Sequence, residues 1–271
     1  MSTSVSKPIV VGIDGSKAAL GAAFWAADEA VNRDVPLRLV HVVDAHDHDE
    51  DSVVAHAGRT LQAVSEALNA SGLQIKIETD ILQGDPVDVL AEVSRSADLV
   101  CVGWKGTHDS GPGRRGSTAA RLAKAAQSTV AIVHRRHARE RVGPHRWIVA
   151  VLDDQPDPQA VLKRAIDEAT LRDASILALT PWPAESERSE NVGARLESLV
   201  SDRERDHADM QIAVLPRPGD ITNLLAQSAD IDQLVIASAA DSEVVTQLIG
   251  PVAAAILRGT NCSLLVLRDP V

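Results

Sequence analysis

Apolar residues in this chain cluster in short, unbroken runs. Ile9-Val10-Val11-Gly12-Ile13, Leu37-Arg38-Leu39-Val40-His41-Val42-Val43, Leu99-Val100-Cys101-Val102 and Thr129-Val130-Ala131-Ile132-Val133 are examples. Runs of this length, rich in Val and Ile and bounded by turn residues, read as strands covered on both faces. The first half therefore predicts strands near 8–13, 36–43, 74–80, 98–103 and 129–134. Helices fill the gaps near 17–33, 53–71, 85–96 and 116–127. Ser16 supplies a hydroxyl at the start of the first helix. Asp85-Pro86 opens the third, with proline in a first turn where its missing N–H costs nothing. Strands alternating with helices imply parallel βαβ units with right-handed crossovers.

The second half repeats this order. Trp147-Ile148-Val149-Ala150-Val151-Leu152-Asp153 aligns with Pro8-Ile9-Val10-Val11-Gly12-Ile13-Asp14, and Ser175-Ile176-Leu177-Ala178-Leu179 with the second strand. Gly219-Asp220-Ile221 matches Gly84-Asp85-Pro86. Gln233–Ala237 matches Asp98–Val102, and Cys262–Arg268 matches Ser128–His134. A period of 135–139 residues is too long for a solenoid unit and fits two domains. We place them at 1–140 and 145–271. Between them, Arg135-Arg136-His137-Ala138-Arg139-Glu140-Arg141-Val142-Gly143-Pro144 is polar, charged and ends in Gly-Pro, as a linker does.

Charge narrows the partners. The net charge is −11, and neither half is basic: 15 Lys and Arg face 18 Asp and Glu in residues 1–140, and 12 face 20 in the remainder. This argues against nucleic acid and against an anionic membrane surface. No apolar stretch approaches a membrane span, so a cytoplasmic location is expected. With one Phe and no Tyr, the core must be built from Val, Leu, Ile and Ala. Cys101 and Cys262 both lie in apolar runs and read as buried, reduced thiols.

The chemistry concentrates after the fourth strand. Gly103-Trp104-Lys105-Gly106, nine residues, then Gly116-Ser117-Thr118 connect that strand to a helix. A helix start offers unpaired N–H groups and a positive dipole end, which suit phosphate. Glycines let the backbone approach an anion, and hydroxyls add donors. The segment reads as a nucleotide site.

Gly103, Gly106, Gly116 and Ser117 match G-x2-G-x9-G-[ST], and the chain thereby resembles the universal stress protein family. Val10-Val11-Gly12-Ile13-Asp14-Gly15-Ser16 is similar to that family's first strand and turn. The resemblance covers nearly the whole chain as two tandem copies. It implies two Rossmann-like α/β domains, each an open five-stranded parallel sheet of order 3-2-1-4-5 with helices on both faces. It also implies ATP binding and a role in stress or dormancy responses. In that order the sheet reverses between strands 1 and 4, where open α/β sheets bind ligands at the strands' carboxyl ends. Asp14 and Gly103 should meet there.

The resemblance assigns roles. Asp14 would accept hydrogen bonds from ribose or adenine, the other reading being a cap on the first helix. Val42 would recognise adenine through its backbone. Gly103 and Gly106 would hold the loop near ribose and phosphates, and Gly116, Ser117 and Thr118 would hold the phosphates. Lys105, Arg114 and Arg115 would add charge or remain solvated. Mg2+ would arrive with ATP, held mostly by phosphates. In the second copy the motif is degenerate. Ser238-Ala239-Ala240-Asp241, eight residues, then Gly250-Pro251 stand in its place, so an anion would lose donors and meet a carboxylate. The apolar last strands, 129–134 and 262–268, would pair the two copies internally as a pseudo-dimer, with a homodimer as a further arrangement.

Other motifs carry less. Gly111-Pro112-Gly113-Arg114-Arg115-Gly116 fits G-x-G-x-x-G but follows no strand directly. No G-x4-G-K-[ST] occurs. Asp44-Ala45-His46-Asp47-His48-Asp49-Glu50-Asp51 holds metal-ligand residue types without a pattern that fixes outer partners. No nucleophile–base pair is recognisable, and nothing names the clamp that ATP hydrolysis needs. The leading expectation is an ATP-binding regulator. A slow ATPase, a self-phosphorylating enzyme with Ser117 or Thr118 as acceptor, and a nucleotide-free scaffold are the alternatives. AMP or cyclic AMP are the alternative ligands.

Overall fold

The computed structural model of the chain describes residues 6–44, 50–104, 118–134, 146–152, 158–180, 198, 211–216, 220–227, 232–238, 243–250, 253 and 260–268. Backbone contacts divide the chain into two compact units, Met1–Glu140 with Arg268–Val271, and Arg141–Leu267.

The first unit runs β1 (Ile9–Gly12), α1 (Lys17–Arg33), β2 (Leu37–Val43), α2 (Glu50–Asn69), β3 (Ile77–Gln83), α3 (Pro86–Ser94), β4 (Leu99–Gly103), α4 (Thr118–Ala125) and β5 (Thr129–Val133). Its strands are parallel in the order β3-β2-β1-β4-β5. The second unit runs β6 (Arg146–Val151), α5 (Pro158–Arg172), β7 (Ser175–Thr180), β8 (Ile212–Pro216), α6 (Ile221–Gln227), β9 (Asp232–Ser238), α7 (Glu243–Ile249) and β10 (Asn261–Leu267). Its order, β8-β7-β6-β9-β10, is again 3-2-1-4-5 and again parallel. The expected fold class is the observed one.

Central strands are apolar throughout because helices cover both faces. Ile9, Val10, Val11, Leu99, Val100 and Cys101 are fully buried. Each large aliphatic side chain taken out of water contributes about 1.5–3 kcal/mol before entropy is counted. α1 packs with α2, and α3 with α4. Buried Ala19, Ala22, Ala23, Ala26, Ala27 and Ala30 let α1 lie close to the sheet. Cys101 and Cys262 are both buried, as expected, and are not joined in a disulfide.

Helix starts follow local chemistry. Ser16 is the N-cap of α1, and its Oγ accepts from Ala19 N–H at 3.0 Å. Asp85 caps α3, with Oδ1 accepting from Val87 and Asp88 N–H. Asp220 does the same for α6, accepting from Thr222 and Asn223 N–H. Such caps contribute about 1 kcal/mol each.

A second duplicated device closes the first helix of each unit. Glu29 is fully buried, and Arg33 Nη2 reaches its Oε2 at 2.6 Å while Arg33 Nη1 bonds Asp98 at 2.8 Å. Buried Glu168 is held by Arg164, at 2.7 Å, and by Arg172. The residues that follow, Asp34 (φ 52°) and Asp173 (φ 50°), both adopt the left-handed conformation that ends a helix. These matching positions lie 139 residues apart.

Some boundaries differ from expectation. The third strand is Ile77–Gln83, three residues later than 74–80, because its register is set by Leu37↔Ile77 pairing with β2. α2 starts at Glu50 and α3 stops at Ser94. The second unit's third strand, expected from the five-stranded order but given no range, is β8: Ile212-Ala213-Val214-Leu215-Pro216 is a short edge strand whose apolar run precedes Gly219-Asp220.

Candidate functional site

The site is built where the first unit's strands end. β1 finishes at Gly12, and Ile13 N–H extends the pairing by one bond to Val40 C=O, at 2.8 Å. The chain then turns through Gly15, whose φ of +81° favours glycine. Asp14 Oδ1 accepts Ser16 N–H at 2.9 Å, which fixes its carboxylate over the turn into α1. The helix cap is Ser16, so Asp14 braces the turn instead of capping the helix.

Val42 lies two residues beyond the last β2 residue paired with β1. In a parallel ladder, one residue's N–H and C=O point to the same neighbour, and alternate residues share that side. Val40 faces β1, whereas Val43 accepts Gly84 N–H on the β3 side at 2.9 Å. Val42 therefore aims its backbone N–H and C=O beyond the end of β1, into the crevice that Asp14 borders.

On the crevice's other side β4 ends at Gly103. Trp104 is anchored, not suspended in the loop: its N–H donates to Val133 C=O at 3.0 Å, and its ring meets His134 edge-on, with centroids 5.7 Å apart. Thr118 is the exposed first residue of α4. Asp14, Val42, Gly103 and Thr118 are thus all placed at ends of elements around β1 and β4. Gly106, Gly116 and Ser117 lie outside the described residues, as do Lys105, Arg114 and Arg115.

His41 adds a group to this edge of the sheet. Its ring is half-buried, and its Nδ1 is buried with no hydrogen-bond partner among the described residues. Burial pushes its pKa below the ordinary histidine value, nearby His56 pushes the same way, and Asp14 opposes them. Its place near the end of β2 follows from the strand itself, whereas its burial involves α2.

A cavity of about 520 Å³ lies elsewhere, between α2 and β3, lined among others by Leu61, Gln62, Glu66 and Asp80. It is a groove along the sheet margin and holds none of the predicted site residues. Among the described residues, no group of His, Cys, Asp and Glu is arranged to hold a metal ion, and no helix is long and apolar enough to cross a membrane.

The second unit keeps the frame of this edge. Leu152 N–H donates to Leu179 C=O at 2.9 Å, as Ile13 does to Val40. β9 ends in Ser238 where β4 ends in Gly103, and Gly250 follows α7. Asp153, Asp241 and Pro251 lie outside the described residues.

A strand order that reverses beside β1, with a carboxylate in the turn that follows, defines a doubly wound α/β protein. The model of the universal stress protein family matches residues 6–134 and 145–268, and the chain belongs to that family. It is similar to universal stress protein Rv2624c of Mycobacterium tuberculosis, 39% identical over 267 residues and covering 97% of this chain and 96% of the relative. A universal stress protein from Archaeoglobus fulgidus shares the fold, with a TM-score of 0.72 at 16% identity over 97% of this chain and 96% of that one. A shorter universal stress protein solved in complex with cAMP is 29% identical, spans 48% of this chain and 98% of its own, and has a TM-score of 0.40.

Proposed function

We propose that the first unit binds an adenine nucleotide, ATP, and that the chain is a cytoplasmic nucleotide-dependent regulator in stress or dormancy. The observation that carries this reading is the meeting of Asp14, the Val42 backbone and the β4 end at the point where the strand order reverses. A carboxylate accepts from ribose or adenine donors, and a paired N–H and C=O complement a purine edge. The G-x2-G-x9-G-[ST] spacing, Gly103, Gly106, Gly116 and Ser117, then leads to the start of α4. There N–H groups and the hydroxyls of Ser117 and Thr118 would receive phosphate, with Mg2+ bound mainly by phosphate oxygens. The second unit, with Ser238, Asp241 and Pro251 at the matching places, serves as a scaffold that does not bind nucleotide.

The test is titration of the purified chain with ATP, ADP, AMP and cyclic AMP, followed by tryptophan fluorescence and by heat. Trp104 adjoins the crevice and reports occupancy. One saturable site per chain, lost in Gly106→Asp, is expected. Absence of binding in protein checked to be free of co-purified nucleotide would reject the reading in favour of a scaffold.

A further inference from the structure

We propose that His41 is a proton-sensitive positioning residue of the nucleotide site: the neutral ring is the binding-competent form, and its protonation weakens binding of the adenosine end. The proposal rests on the adenine-nucleotide reading of this crevice and adds its regulation.

Three observations carry it. First, His41 immediately precedes Val42 on β2, so a shift of its ring moves the backbone aimed into the crevice. Second, its Nδ1 is buried and makes no hydrogen bond among the described residues. A neutral imidazole can leave that nitrogen as a bare acceptor, whereas the charged ring must carry a proton there. A buried donor without an acceptor is unfavourable. Third, among the described residues, its charged and titratable neighbours come from two elements, Asp14 from the β1–α1 turn and His56 from α2. Ile13 beside it and Ile81, its register partner on β3, are apolar.

Proton uptake from solvent would change both relations. A charged His41 attracts the Asp14 carboxylate, which the ligand needs as an acceptor. It also repels His56, which is exposed on α2, and so works against the seating of α2 on β2. Both effects oppose the geometry that receives a nucleoside. Since burial and His56 favour the neutral ring, the site is competent at neutral pH and loses affinity on acidification.

Adenosine is the probe, because its base and sugar carry no group that titrates in this range, unlike the phosphates of ATP. Calorimetric titrations at about pH 8 and about pH 5.5 bracket the ordinary histidine range. The wild-type chain should lose about tenfold in adenosine affinity between them, and His41→Gln should show no such loss. His56→Gln, at an exposed position, removes the like charge. It should make the wild-type loss begin at higher pH, which a merely structural role for His41 does not explain. Equal losses in wild type and His41→Gln, or equal wild-type affinity at both pH values, would overturn the proposal and leave the nucleotide reading standing. Absence of both adenosine and ATP binding at the higher pH, in protein shown to be folded, would reject that reading and this proposal with it.

Discussion

Gly103 and Ala18 meet backbone to backbone: a methyl group placed on Gly103 would stand 2.6 Å from the Ala18 carbonyl carbon and 2.8 Å from its oxygen. Real side chains do not tolerate such separations, and a helix backbone cannot swing aside as a side-chain tip can. The first glycine of the nucleotide motif is thus required by the seating of α1 on β4, whatever ligand binds. Gly103→Ala should destabilise the first unit by about 1–3 kcal/mol, the cost of overpacking. Urea unfolding of the variant without nucleotide checks this. An unchanged midpoint would mean that α1 is not held against β4.

The buried carboxylates make a second case. Removing one partner of a buried ion pair leaves the other charge uncompensated, at about 3–5 kcal/mol. Arg33 and Arg172 are partly exposed, which lowers the figure. Glu29→Ala and Glu168→Ala should each cost about 2–3 kcal/mol, each in its own unit. Thermal unfolding followed by calorimetry would show it, and a loss below half a kcal/mol would place these carboxylates in effectively aqueous surroundings.

Asp34 and Asp173 end their helices with φ near +50°. Glycine adopts this conformation without a Cβ penalty, whereas a β-branched residue suffers most. Asp34→Gly should be neutral or stabilise by up to about 1 kcal/mol, and Asp34→Val should destabilise by about 1–2 kcal/mol. Denaturant midpoints of the pair give the sign directly. The same order is expected at Asp173.

The lowered pKa of His41 makes stability depend on pH even without ligand. The folded state binds fewer protons than the unfolded chain between the two pKa values, so stability rises with pH there. His41's contribution is complete above the unfolded value of about 6.5 and is lost progressively as pH falls toward the folded one. Unfolding midpoints measured across that interval should decline more steeply for wild type than for His41→Gln. Parallel curves would assign the acid sensitivity to other groups.

The strands that carry the site were legible as apolar runs, and the order 3-2-1-4-5 came from a resemblance that Gly103, Gly106, Gly116 and Ser117 anchored. What escaped the sequence depends on tertiary contact. β3 slipped because Leu73-Gln74-Ile75-Lys76-Ile77 continues the apolar alternation into the turn, and only pairing with Leu37 starts the strand at Ile77. β8 was expected but not located, because a five-residue edge strand ending in Pro216 gives a weak signal. Asp28-Glu29-Ala30 through Arg33-Asp34 recurs as Asp167-Glu168-Ala169 through Arg172-Asp173. Charged residues on a helix ordinarily mark its solvent side, so the burial of Glu29 and Glu168 could not be read from type alone. His41 escaped for a related reason, since the burial that tunes it comes from α2.

The duplicated ion pairs and left-handed helix ends leave the carboxyl edge of the sheet alone. Glu29, Arg33 and Asp34 secure the passage from α1 into β2, Asp98 meets them just ahead of β4, and their counterparts recur at Glu168, Arg172 and Asp173. These buried charges are thus neutralised at the amino margin, away from the strand-end loops. A lineage can rewrite the strand-end loops of one copy, as Ser238, Asp241 and Pro251 rewrite those of the second, without renegotiating the fold. Anyone wishing to graft a new recognition function onto this architecture should begin at that second margin, where the motif residues differ between the copies and the strand order is the same.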